Sequence, residues 1–453
     1  YAILSASGGV TGRFDGVTSN LAFLSPGLRY LPNEVDLTLT RNDVPLAASA
    51  TGRNGIAAAN ALQAAGRGRA YDAALAFTTS EAADGFRALS GDIHAGTVSA
   101  AYETAFFVRE AVLDRLRWGG GSGLDYGTLP AAYSADLPGR APAVASVPAR
   151  ILDPQVFGLW GQGFGAFGTA GGGGNAFDLD RQIAGFALGA DIRLPSGFTF
   201  GVVGGYTEAN LDSAGRQGGG ARQGAAGPSE SATLKSGFGG IYGGYEFGPV
   251  AVRLGALYAD TDTRTRRSVL YGLSDSPTGH GGGHTVQGFG EIGYRFTLSA
   301  PAALVSKDGP ALQVASSYIE PFVGAAYIGI RRDGFAETGG AAALVSYARD
   351  YDLGAVTAGV RAQTSLDLGL GLPVTAHGLL GYRRAFGDVV PTALLSFGTG
   401  PAFLSAGVPI DRDALVAQAG LDLRVAPNAT LGVSYTGQVG ARAQDQAVKG
   451  NLT

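Results

Sequence analysis

The stretch VQGFGEIGYRF, Val286–Phe296, alternates residue by residue. Val286, Ile292, Tyr294 and Phe296 fall on one side of an extended chain, and Gln287, Glu291 and Arg295 on the other. Successive side chains of a strand point to opposite faces, so a period of two predicts a strand with one apolar and one wet side. AVTAGVRAQTSL (Ala355–Leu366) repeats the pattern, with Val356, Ala358, Val360, Ala362 and Leu366 against Thr357, Arg361, Gln363 and Ser365. TLGVSYTGQV (Thr430–Val439) sets Leu431, Val433, Tyr435 and Val439 against Thr430, Ser434, Thr436 and Gln438.

Twelve such segments follow one another: 156–167, 182–194, 198–211, 233–247, 250–265, 285–298, 317–332, 352–367, 373–385, 411–425, 429–439 and 443–453. They are about twice the usual strand length of five or six residues. Aromatic residues gather near their ends, as at Tyr206, Tyr258, Tyr294, Phe296 and Tyr327. The connections after segments 2, 4, 8 and 10 are tight (Pro195–Gly197, Gly248–Pro249, Gly369–Leu372 and Pro427–Asn428), whereas those after 3, 5, 7 and 9 are long, such as Asp212–Ala232. The connection 299–316 is too long for this rule, so its flanking strands are expected to extend into it, with the turn at Lys307–Gly309. Long tilted strands, aromatic girdles, and short turns on one side with long loops on the other describe an outer-membrane barrel rather than a soluble sandwich. Closing the sheet removes every edge, which lipid requires.

TVSAAYETAFFVREAVLDRLR (Thr97–Arg117) contains neither Gly nor Pro and predicts one helix. At 1.5 Å per residue it is about 31 Å long, roughly the thickness of a hydrocarbon core. Glu103, Arg109, Glu110, Asp114, Arg115 and Arg117 exclude it from lipid. A lumen suits it, because barrels of more than eight strands leave interior space. The helix is expected to enter from the long-loop side, to end on the tight-turn side, and to plug the pore. Inward glycines would give it room. Arg253, Glu291, Arg361, Asp422 and Arg424 are expected to face the lumen, and some of them to pair with Arg109, Glu110 or Arg115.

Upstream, residues 1–50 show short-strand, turn-rich texture (GGVTGRFDGV, Gly8–Val17; EVDLTLTR, Glu34–Arg41) and are expected to be β-solenoid rungs. One rung buries too little by itself, so further rungs are expected before Tyr1. Residues 51–96 are Ala-rich and helical, with Asn54 and Ser80 as expected N-caps and breaks at Gly66–Gly68 and Ser90–Asp92. Residues 118–154 carry Pro130, Pro138, Pro142, Pro148 and Pro154 and are expected to be a linker. The barrel takes 155–453.

The 453 residues carry a net charge of −4, which gives no electrostatic case for nucleic acid. The absence of Cys excludes disulfides and thiolate chemistry, and the absence of Met points to a processed or trimmed chain. No run of 18 apolar residues exists, so no spanning helix is expected. The four histidines, His94, His280, His284 and His377, form no metal-ligand spacing, and no G-x-S-x-G occurs. The reading is of a non-enzymatic chain without cofactor.

The order of these parts resembles the autotransporters of type V secretion. The residues that carry the resemblance are Thr11–Asn42, similar to the last passenger rungs credited with templating passenger folding; Ala88–Arg117, similar to the junction and lumen helix; and Trp160–Gly168, Gly185–Asp191 and Ala429–Thr453, similar to the first, second and last barrel strands. The resemblance implies a twelve-stranded antiparallel barrel in the bacterial outer membrane that exports and anchors its own N-terminal passenger at the cell surface. It implies the passenger, outer-membrane lipid and the barrel-assembly machinery as partners. Members usually end in an aromatic residue; this chain stops at Thr453, and the outward face of Val448, Gly450 and Leu452 would put that residue at position 456. Some members cut themselves at an Asn in the lumen helix; no Asn lies between Ala61 and Gly174, which leaves Asp114 as the candidate for another route. An esterase-type autotransporter and a passive porin are the alternative readings.

Overall fold

The computed structural model describes residues 1–118, 157–214, 229–269, 273–298, 303–304, 312–367, 373–426 and 428–453. The chain begins with β1 (Ala2–Ser5), β2 (Leu24–Leu31) and β3 (Glu34–Arg41), then α1 (Gly52–Ala65), α2 (Arg69–Leu75), α3 (Ala82–Ala88) and α4 (Ile93–Arg117). The next strands are β4 (Phe157–Ala170), β5 (Leu179–Arg193), β6 (Phe198–Ala214), β7 (Ser229–Phe247), β8 (Val250–Ser268), β9 (Thr278–Tyr294), β10 (Phe296–Leu298) and β11 (Ala303–Leu304). Then come β12 (Leu312–Arg332), β13 (Phe335–Ala336), β14 (Leu344–Ser346), β15 (Arg349–Asp367), β16 (Pro373–Gly387), β17 (Thr392–Phe397), β18 (Ala402–Ala406), β19 (Asp413–Ala426), β20 (Ala429–Gly440) and β21 (Ala443–Leu452).

Twelve antiparallel strands close into a ring: β4 to β9, β12, β15, β16, β19, β20 and β21. The seam joins β21 to β4, with Ala443 opposite Ala170 and Leu452 opposite Gly161. Each corresponds to one of the alternating segments. Outward positions carry the apolar set: Leu159 and Ile241 are each 64% exposed, and Val439 56%. Inward neighbours are polar and buried, as at Gln287, Glu291, Arg361 and Gln438. The short strands β10 and β11 pair with β12 at the tight-turn side, so part of 299–316 is indeed sheet. The expected turn at Lys307–Gly309, and all but Trp118 of the linker 118–154, lie outside the described residues.

A tilted strand needs about 9–11 residues to cross a bilayer. Strands β6 to β9, β12 and β15 have 17–21; the extra length of β6 to β9 and β15 lies on the long-loop side, and that of β12 at its tight-turn end. This raised rim carries a second sheet, ordered β13-β14-β17-β18, built from the connections after β12 and β16. Its strands have two to six residues, too short for a periodicity to show in the sequence.

Residues 1–50 depart from the solenoid expectation. The three strands form an antiparallel sheet ordered β1-β3-β2 with no parallel rung. The tight turn between Leu31 and Glu34 reverses the chain, so β2 and β3 pair as a hairpin instead of stacking as coils. The helical junction packs on the rim through Phe23, Leu46, Leu62, Phe77, Phe86 and Leu89, together with Val269 and Ala342 from barrel connections. Phe86 meets Phe77 edge-on at 5.3 Å and Phe23 at 5.9 Å.

The break expected at Gly66 is present as a left-handed cap with φ 63°. The two expected N-caps are not. Thr51 precedes α1 and Glu81 precedes α3. Asn54 lies inside α1, buried, where its side chain acts as a strand substitute: Nδ2 donates to the Ala406 carbonyl at 2.7 Å, and Oδ1 accepts from the Ala406 N–H at 2.9 Å. Replacing Asn54 with Ala leaves both backbone groups of Ala406 unpaired, a cost of about 1–3 kcal/mol. Hydrogen exchange at Ala406 is expected to speed up by about five- to 150-fold, by the relation between 1.4 kcal/mol and a factor of ten, while exchange in the membrane-level strands stays unchanged.

Candidate functional site: a helix-filled lumen

Helix α4 starts at Ile93, four residues before the expected Thr97, because the turn at Gly91, with φ 61°, leads directly into it. It runs from the long-loop rim to the tight-turn end. Of its 25 residues 21 are buried, and no face of it meets lipid. Phe107 stacks on Phe164 of the wall at 6.1 Å, and Phe106, Val108, Val112 and Leu113 join the lumen's apolar core.

Polar contacts fasten the helix at three levels. At the rim, Arg267 forms a fork on Glu337 at 2.9 and 2.7 Å and also donates to the carbonyls of Ala88 and Ala342. His94 meets the same carboxylate at 2.8 Å, and Arg332 donates to the His94 carbonyl and to Thr97 Oγ1. Halfway down, Gln287 accepts from Arg109 at 3.3 Å and donates to the Ala105 carbonyl at 3.1 Å, while Glu103 accepts from Gln438 and faces Arg383 at 3.6 Å.

At the tight-turn end, Arg115 forks onto Asp191 at 2.7 and 2.8 Å. Asp191 also accepts from Tyr242 OH at 2.8 Å, and that hydroxyl accepts from Trp160 Nε1 at 2.6 Å. Asp114 accepts from Lys449 at 2.8 Å and from Gln418 at 3.2 Å. Arg117 donates to Glu110 at 2.7 Å and to Glu291. Glu291 is shared with Arg253 at 3.2 Å and Arg361 at 2.6 Å; Glu320 takes the same two guanidiniums at 2.9 and 3.0 Å, and Arg295 at 3.5 Å. The buried guanidiniums of Arg117, Arg253 and Arg361 thus interleave with the carboxylates of Glu291, Glu320 and Asp114, with Arg295 and Glu110 at the edge of the cluster. Buried ion pairs barely offset their own desolvation, yet removal of one partner is costly.

The structure therefore brings Arg253, Glu291 and Arg361 together, but against Arg117 and Glu320 rather than against Arg109, Glu110 or Arg115. Arg109 and Arg115 reach Gln287 and Asp191, and Glu110 stays on its own helix with Arg117. The reason is depth: the wall cluster sits level with the last helical turn. Asp422 and Arg424 lie lower still, lining an open vestibule beneath the helix end. There His377 pairs with Asp422 at 3.2 Å and stacks on Trp118 at 4.4 Å. Glu320, Lys449, Asp191, Arg267 and Glu337 were not singled out by sequence; all but Glu337, which lies in a rim connection, occupy inward positions of their strands, and parity alone could have found those four.

The inward glycines also differ from expectation. A Cβ at Gly158 would lie 2.4 Å from the Arg115 guanidinium, so that glycine does clear space for the helix. At Gly189 a Cβ would meet the Trp160 indole at 2.4 Å, and at Gly201 the Tyr242 ring at 2.2 Å. These two positions make room for wall aromatics that lie flat across the neighbouring strand.

A closed twelve-stranded barrel with an apolar exterior, a polar interior and a helix inside it defines an outer-membrane translocator. The chain belongs to the autotransporter β-domain family, whose match covers residues 159–436. The barrel exports its own passenger to the cell exterior and is itself non-enzymatic. An extracellular serine protease from Serratia marcescens is 28% identical over 498 aligned positions, which take in all of this chain and 42% of that protein. The chain thus spans about two fifths of the length of the curated relatives it matches. The transport unit of the autotransporter AIDA-I from Escherichia coli has the same fold, at TM-score 0.50 and 14% identity over 74% of this chain and 97% of that one. The translocator domain of the autotransporter NalP from Neisseria meningitidis matches at TM-score 0.46 and 14% identity, over 66% of this chain and 89% of that one.

Substituting Ala for Arg117 leaves Glu291 and Glu110 short of a cation, at a cost of about 3–5 kcal/mol. The unfolding temperature in detergent is expected to fall. Adding Glu291→Gln to Arg117→Ala is expected to destabilise by less than the sum of the single changes, as a double-mutant cycle of thermal unfolding would measure.

Proposed function

We propose that α4 is the part of the exported chain that stays in the pore when transport ends, where it seals the lumen and tethers what precedes it to the membrane. The observation that carries this reading is the helix's burial along its length together with ion pairs to the wall at both ends. A lumen occupied in this way also argues against a passive porin, which has no use for a bound helix. Residues 1–50 are then the membrane-proximal end of the passenger, lying outside the cell on the rim. Arg109, Asp114 and Arg115 hold the plug in register, and Glu110 braces Arg117 from within the helix. Arg253, Glu291 and Arg361 receive its last turn, and Asp422 and Arg424 keep the vestibule wet. No nucleotide motif is present, so passenger folding outside the cell supplies the driving force.

The apolar outer band and its aromatic ends support direct contact with outer-membrane lipid. The last strand, β21, supplies one side of the seam and is the segment offered to the barrel-assembly machinery. For the passenger, the relative named an extracellular serine protease supports a serine protease in the whole protein, ahead of an esterase.

Planar-bilayer recordings test the plug. The intact chain is expected to give small, mostly closed conductance, and a chain starting at residue 118 to give a conductance several-fold larger. A steady wide pore from the intact chain would overturn the proposal. Labelling of the secreted full-length gene product by a serine-directed fluorophosphonate probe is expected if the passenger is a serine protease.

A further inference from the structure

Two acidic side chains meet at the start of the lumen helix, away from the ion pairs already described. Asp92 precedes α4 and is 4% exposed; Glu230 is the second residue of β7 and 3% exposed. Glu230 lies above the bilayer, seven residues beyond Gly237, the partner of the girdle residue Tyr206. Asp92 Oδ2 accepts from the Phe177 N–H at 2.7 Å, and Glu230 Oε2 accepts from the Ile93 N–H at 3.0 Å. The pair therefore ties three elements: the helix start, β7 and the connection between β4 and β5. The two carboxyls flank the Ile93 peptide, Asp92 preceding it in the chain and Glu230 accepting from its N–H. Each keeps one buried oxygen, Asp92 Oδ1 and Glu230 Oε1, that no donor reaches among the described residues. Ionised carboxylates are acceptors only, so a carboxyl–carboxyl bond needs one proton between the two groups.

We propose that Asp92 and Glu230 form an acid-tightened latch at the outer mouth of the barrel, closed while they share a proton and released when that proton is lost.

The surroundings are consistent with such a device. Arg87 of α3 and Arg267 of β8 face the pair, but both are committed elsewhere: Arg87 donates to the Ala176 carbonyl at 2.7 Å, and Arg267 forks onto Glu337. His94 is occupied by Glu337, and Arg332 by the His94 carbonyl and Thr97. Among the described residues, no guanidinium donates a hydrogen bond to either carboxyl of the pair. Burial pushes both carboxyls upward, Glu230 the more strongly because Asp92 adds repulsion. Groups raised on folding stabilise at low pH and lose that contribution as pH climbs through the raised range. Glu337 behaves oppositely: burial opposes its ionisation, but the Arg267 guanidinium holds it below the ordinary carboxylate range, so its contribution is lost only in acid. His94, pushed by burial below its ordinary value, lies in the same segment, so the pair is isolated by comparing pH 5 with pH 9 in variants that keep His94 and change only a carboxyl. The latch is independent of whether the helix blocks conductance.

The test is hydrogen exchange on the full chain in detergent at both pH values, corrected for intrinsic rates. In the wild type, amides at 91–96 are expected to lose at least about tenfold protection between pH 5 and pH 9, while amides at 104–113 do not change. Glu230→Gln keeps an acceptor for the Ile93 N–H and carries no charge, so its protection at 91–96 should be the same at both pH values. Asp92→Asn should behave likewise and serves if the first variant fails to fold. Equal protection of the wild type at pH 5 and pH 9, or a wild-type pH response in either folded variant, would overturn the latch.

Discussion

A hydrocarbon core offers no partner to a backbone N–H or C=O, and that constraint governs the whole C-terminal two thirds of this chain. Twelve strands satisfy it by pairing in a ring, and the ring exists only because β21 finds β4. Apolar residues then face outward, since lipid is the solvent there, and the polar half of each strand is turned inward. An interior lined with Gln287, Glu291, Arg361 and Gln438 cannot collapse as an oily core would. It must hold water or a partner that matches its charges.

Helix α4 is that partner. Its amphipathic character is unusual, since apolar residues lie all around it and charges are concentrated toward its C-terminal end. In water such a helix would be poorly solvated, and in lipid its guanidiniums would be prohibitive. Against this wall, Phe107 has an aromatic neighbour, Arg115 has Asp191, and Asp114 has Lys449. Each pairing contributes little net stability over separate hydration. What the pairings confer is position, because a shift of one helical turn would leave several buried charges unmet at once.

Above the membrane the logic is that of a soluble protein. The tall strands of one side of the barrel give the junction helices and the rim sheet a surface to pack on, and Phe23, Phe77 and Phe86 form an ordinary small core. Asn54 and Arg267 join this layer to the barrel by bonding to main-chain carbonyls, so the junction is fixed by backbone geometry as much as by side-chain fit.

Much of this was legible in the chain itself. A period of two survives any tertiary arrangement, so the twelve strands, their inward and outward faces and the alternation of tight and long connections could be read from residue order. Charge placed on a membrane-length helix located that helix in the lumen by elimination. Where one side chain meets another across the lumen depends on strand tilt, register and the depth at which α4 stops. Those quantities arise only on closure, which is why Glu291 finds Arg117 and why Asp422 and Arg424 fall below the helix. The rim sheet and the antiparallel N-terminal hairpin were hidden for a related reason: strands of two to eight residues carry too little periodicity, and their partners are chosen by the surface they land on.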